Sequence, residues 1–187
     1  MTAGAVAPSA LASPDAISEG SGSRAAEAAL PRKALHHVLS RFASLGAFPC
    51  VPRLGLEEES FERLLAACDA ECTPPRHAIG IPEDFRELVS LLVESGDGSE
   101  PTRWVAHAVA AACLADDHLW RDLGLSDRQE LARLLERHFR PLYERNVDDM
   151  RWKKFFYKQL CERAGFRACK APSCRECSDY AICFAKE

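Results

Sequence analysis

Apolar residues recur along this chain at helical rather than strand intervals. After Pro31, the run KALHHVLSRF places Leu35, Val38, Leu39 and Phe42 on one stripe, and Gly46 and Pro49 close the segment. A second helix is predicted over Glu57 to Cys72, with an acidic first turn that suits the helix dipole and Pro74–Pro75 as its stop. A third begins at Pro82 and aligns Phe85, Leu88, Val89 and Leu92 before Gly96. Residues 102 to 120, WVAHAVAAACL followed by ADDHLW, are apolar on nearly every face, which predicts a buried central helix. Ser126 and Gln129 form a capping-box pattern ahead of Leu131, Leu134, Leu135 and Phe139, and that helix runs to Pro141. A last helix is expected from about Asp148 to Arg163. No segment alternates with period two. The pattern therefore predicts an all-α protein, a compact bundle of about six helices.

Both ends depart from this pattern. Residues 1 to 25 are rich in Ala, Ser and Gly without periodicity and are expected to form a disordered tail. Residues 26 to 165 make up the helical domain, and residues 166 to 187 a cysteine-rich metal-binding loop. The opening stretch lacks the early basic cluster of a secretory signal, and the apolar run from Val105 to Ala115 is shorter than the roughly 20 residues that cross a bilayer. A cytoplasmic location is expected. Thiols stay reduced there, so the nine cysteines point to metal or redox chemistry before disulfides. The net charge of −4 hides an asymmetry: from Met150 onward nine Lys or Arg stand against four Asp or Glu. The basic end is the cysteine-bearing end, as suits an anionic inorganic ligand, an acidic partner or nucleic acid.

The sequence CKAPSCRECSDYAIC puts Cys169, Cys174, Cys177 and Cys183 at spacings C-x4-C-x2-C-x5-C. Short, uneven gaps let one irregular loop bring several sulfurs to a single inorganic core. Structural zinc more often uses two Cys-x2-Cys knuckles separated by a longer spacer, so iron–sulfur ligation is the better reading; zinc and incidental free thiols remain as alternatives.

The surrounding residues narrow the choice. WKKFFYKQLCE, the APSC turn, and Tyr180 before Cys183-Phe184 resemble the C-terminal signature of the NifQ family, and DDHLWRDLGLSDRQEL upstream is similar to it as well. The likeness runs from roughly Trp104 to Phe184 and departs from the family at Ala185, where Gly is common. It implies a non-enzymatic carrier that binds a molybdenum–iron–sulfur cluster and donates molybdenum for nitrogenase iron–molybdenum cofactor assembly. The implied ligands are Cys169, Cys174, Cys177 and Cys183. The implied partners are the cofactor scaffold complex (NifE–NifN), the nitrogenase iron protein (NifH) and molybdate or another molybdenum source, with no membrane and no nucleic acid. An iron–sulfur cubane lacking one metal corner could accept molybdenum there, and a loop near a chain end favours release. Two other classes stand beside this reading. The ending C-x2-C-x5-C with basic neighbours also resembles the iron–sulfur loop of helical base-excision glycosylases, although a convincing catalytic Lys and Asp pair is missing. A zinc-binding interaction module is the third.

Further residues bear on the site. Cys161 falls on the basic stripe of the last helix with Arg151, Lys154 and Lys158, where it could lie beside the cluster. That stripe could steer docking of an acidic partner or capture an oxyanion, docking being preferred because exposed charge acts at long range. His118, with Asp116 and Asp117, could complete a molybdenum site, though a solvated helix end is the commoner outcome. His107 is expected to be a hydrogen-bonded core histidine. Cys68 and Cys72, near His77, are expected to pack rather than chelate; Cys50 and Cys113 read as core or loop residues, and His36 and His37 as surface.

Overall fold

A computed structural model of the chain describes residues 19–43, 51–70 and 80–165. Among these residues the secondary structure is entirely helical: α1 (Glu19–Ala43), α2 (Glu58–Cys68), α3 (Glu83–Glu94), α4 (Glu100–Cys113), α5 (Leu119–Asp122), α6 (Arg128–His138), α7 (Arg140–Tyr143) and α8 (Trp152–Arg163), with a 3-10 turn at Pro52–Gly55. Eight helices replace the expected six or so because two single turns, α5 and α7, interrupt what the hydrophobic pattern merged. No described helix is long and apolar enough to cross a membrane.

The predicted central helix is central. Every residue of α4 from Trp104 to Cys113 is buried, and α1, α3, α5 and the 3-10 turn pack around it. Small Ala side chains at 106, 108 and 110–112 let these neighbours approach closely. Ser99 caps α4, its Oγ accepting from Thr102 N at 3.3 Å, and the helix ends at Cys113, well before Trp120. The predicted stripes face this core: Leu35, Val38 and Leu39 from α1, Phe85, Leu88 and Leu92 from α3, and Leu131, Leu134 and Leu135 from α6 are all buried.

Several boundaries differ from expectation. Helix α1 begins at Glu19 and runs through Pro31, so helix occupies residues 19–25 of the stretch expected to lack structure. The Ala-rich run RAAEAAL favours helix strongly enough to continue across the proline. Helix α2 stops at Cys68, where Asp69 turns left-handed at φ 53°. Helix α8 starts at Trp152 instead of Asp148, behind another left-handed residue, Asp149 at φ 51°. The capping box is shifted by one: Asp127, not Ser126, caps α6 by accepting from Glu130 N at 2.8 Å, while Glu130 reaches back to the Ser126 N–H at 2.7 Å. Adjacent Ser and Asp are both competent caps, and the carboxylate is the stronger acceptor for a dipole end.

The 3-10 turn is a strained element that the core stabilises. Arg53, Leu54 and Gly55 all have positive φ, a conformation that costs a non-glycine residue roughly 1 kcal/mol or more. Burial of Leu54 and the bond from His107 Nδ1–H to the Leu54 carbonyl at 2.7 Å offset that cost. Gly55 also lies so near Phe85 that a Cβ would stand 2.6 Å from Cε1.

Candidate functional site

Helix α8 links the two regions to which the sequence assigns chemistry. Trp152, Phe155, Phe156, Gln159 and Leu160 form its buried face, with Trp152 edge-on to Phe155 and stacked near Tyr143. Its C-terminal end is tied to α3 by Arg163 to Glu94 at 3.0 Å, and Gly165 at φ +71° ends the helix. The cysteine segment follows this end in sequence. Cys169, Cys174, Cys177 and Cys183 lie outside the described residues, as do Cys50, Cys72 and His77. Cys161 is half-buried on α8.

The N-terminal end of α8 borders a cleft of about 310 Å³. Asp116, Asp117 and His118 enter it from the α4–α5 turn; Arg128 comes from α6, and Arg151, Lys153 and Lys154 from the start of α8. Helix α8 spans 12 residues, roughly 16–18 Å, so this cleft lies that far from the C-terminal end of α8. His118 is therefore not adjacent to that end of the helix. It stacks on Trp120 with the rings 2° from parallel, and its backbone N–H donates to Asp117 Oδ1 at 2.7 Å. That bond, aided by Arg121 at 3.4 Å, lowers the Asp117 pKa. His118 stands at the N-cap of α5 without a side-chain cap bond.

Beneath the cleft sits a buried charge cluster that the sequence did not reveal. Asp122 is 1 % exposed; its Oδ2 accepts from Lys153 Nζ at 2.7 Å and its Oδ1 from Arg41 at 3.1 Å. Lys153 also donates to the Ala115 carbonyl at 2.7 Å, so one ammonium joins α8 to the end of α4 and to α5. The available signal was positional. Asp122 follows Leu119 by three residues, on the same inward face, where an acid requires a cation. Arg128 is similarly fixed, its Nη2 donating to Asp149 Oδ1 and to the carbonyls of Asp149 and Met150.

The remaining predicted residues have structural surroundings. Cys113 is buried, which pushes its thiol up to about 12, and burial also raises that of Cys68; neither is a ready thiolate. Among the described residues no group of three or more His, Cys, Asp or Glu is arranged to hold a metal ion. His36 is exposed as expected, but His37 is partly buried against Gly124, whose φ of +66° leaves its Cβ direction filled by the His37 ring. The basic stripe is divided: Arg151 and Lys154 line the cleft, whereas Lys158 lies 3.9 Å from Glu162 on the next turn.

His107 is the predicted core histidine. His138, its unpredicted counterpart, bonds Thr102 Oγ1 through Nδ1 at 2.8 Å. Burial is the main reason both imidazoles titrate below the ordinary 6.5. Because the folded values are lower than the unfolded one, the unfolded chain takes up protons first as pH falls. The stability from these neutral histidines is complete above 6.5 and declines as pH drops from there towards the folded pKa values. Imidazole carbon-bound proton resonances of His107 and His138 should titrate below 6.5; titration above it would contradict their placement.

The NifQ family profile matches residues 34–185, a range that includes the four clustered cysteines. The chain is 43 % identical to Protein NifQ of Azotobacter vinelandii over 157 residues, covering 74 % of this chain and 80 % of that protein. It is 35 % identical to Protein NifQ of Rhodobacter capsulatus over 169 residues, covering 84 % of this chain and 92 % of that protein. A shorter match, 47 % identical over 103 residues, joins it to the NifQ homolog of Sinorhizobium fredii, with 55 % of this chain and 45 % of that protein covered. No solved structure matches the chain. With a profile match over most of its length and relatives aligned along most of theirs, the chain belongs to the NifQ family.

Proposed function

We propose that this protein is a carrier that holds molybdenum with an iron–sulfur cluster and donates it to nitrogenase cofactor assembly, in the cytoplasm and without itself being an enzyme. The observation that carries the reading is the set Cys169, Cys174, Cys177 and Cys183 inside the range matched by the NifQ family. The donor chemistry fits the cargo, since thiolates are the soft ligands that iron–sulfur clusters require. These four cysteines hold the cluster in this reading. Cys161 lies eight residues before the first of them, on the helix that leads into the segment. The helical body serves as a handle with its own apolar core, and release takes place from the cysteine segment.

The recipients are the scaffold complex NifE–NifN and the iron protein NifH. Transfer is tested by mixing anaerobically loaded protein with molybdenum-free partners, separating them and measuring molybdenum in each. Molybdenum should appear on the partners in proportion to its loss from this chain. Retention of all molybdenum under conditions that support cofactor assembly would sink the donor role.

A further inference from the structure

We infer that the cleft at the N-terminal end of α8 is a receiving site for a free tetrahedral oxyanion of the molybdate, tungstate and sulfate type, separate from the cysteine ligands. Its place as the entry point for the cargo rests on the carrier reading above; its anion binding stands on the cleft itself.

Four cationic side chains, Arg128, Arg151, Lys153 and Lys154, converge on this concavity from two helices and the turn before α8. Two are already immobilised: Arg128 by its bonds to Asp149 and Met150, and Lys153 by its bonds to Asp122 and the Ala115 carbonyl. A fixed cation loses little further conformational freedom when an anion arrives, so more of the contact energy appears as affinity. Nearby carboxylates offset part of this charge, Asp122 pairing with Lys153 and Asp149 with Arg128, and the balance is positive. Asp117 is engaged by the His118 N–H and by Arg121, whereas Asp116 is exposed at the edge. Helix α8 contributes in the same sense, because its first turn contains no acidic residue and Arg151 provides no side-chain cap. At about 310 Å³ the cleft is at the small end of ligand sites, suited to a compact anion with some water. Arginine and lysine donors surrounding such a space match the acceptor-only surface of a tetrahedral dianion.

The test is titration calorimetry of molybdate and, separately, sulfate into the full chain carrying Cys174→Ser and Cys177→Ser, which removes the cysteine site. One saturable oxyanion site should remain. Adding Arg151→Gln and Lys154→Gln should weaken it at least about tenfold, the loss expected for charge-assisted bonds, with helical circular dichroism unchanged. Lys158→Gln, outside the cleft, should have no such effect. If the double cleft variant fails to fold, Lys154→Gln alone, at an exposed position, should still weaken binding several-fold. No saturable binding, or equal weakening by Lys158→Gln, would overturn the site. Because the cysteine variant carries no cluster, this outcome is independent of the carrier reading: cluster-loaded wild-type protein with a silent cleft refutes only the cleft, and cleft binding in a chain that never carries iron or molybdenum refutes only the carrier.

Discussion

Replacing Cys174 and Cys177 with Ser should abolish the cluster chromophore and the bound iron and sulfide while leaving nearly all helical circular dichroism. A hydroxyl is a far poorer ligand than a thiolate for iron in a sulfide cluster, and losing two of four sulfurs leaves too few to hold it. The body should survive because the described helices have an apolar core of their own: α4 is enclosed by α1, α3 and α5, and the aromatic face of α8 is buried. Iron and sulfide retained in full in the double variant would refute the ligand assignment. Collapse of the helical signal would show instead that the metal site is part of the folding unit, as in small zinc domains.

The largest stability effect should come from Asp122. Its carboxylate is buried between Lys153 of α8 and Arg41 of α1, so Asp122→Ala removes the shared anion and leaves two cations facing each other. Breaking a fully buried pair costs about 3–5 kcal/mol; here the side chains of Lys153 and Arg41 retain 19 % and 32 % exposure, and water recovers part of that. A loss of about 2–4 kcal/mol in urea unfolding near neutral pH is expected. Combining Asp122→Ala with Lys153→Met should cost less than the sum of the two, because the second change removes the stranded charge. A single-variant effect below about 0.5 kcal/mol would mean that the cluster does not hold the helices together.

The two predictions draw on different kinds of legibility. Helical stripes were readable because each apolar residue at spacing three or four faces the core, and Leu88, Leu92, Leu131 and Leu135 lie where that rule puts them. The cysteine set was readable from spacing and from the words around it, and its four members lie outside the described residues. What escaped depends on distant partners. Asp122 looks like a surface acid until Arg41, 81 residues earlier, and Lys153, 31 residues later, are brought beside it. The left-handed turn at Arg53 and Leu54 has no local cause in the sequence; His107 and the pocket for Leu54 hold it from α4. The basic stripe was correct as a helical periodicity but could not show that Arg151 and Lys154 open on a cleft while Lys158 faces Glu162.

The carrier account is tested most directly by elemental analysis of the full chain, purified anaerobically from cells supplied with molybdate. Iron, acid-labile sulfide and molybdenum should be found together, and all three should fall away in the Cys174→Ser, Cys177→Ser protein. Zinc alone, or no metal at all in protein that is folded and fully reduced, would contradict it.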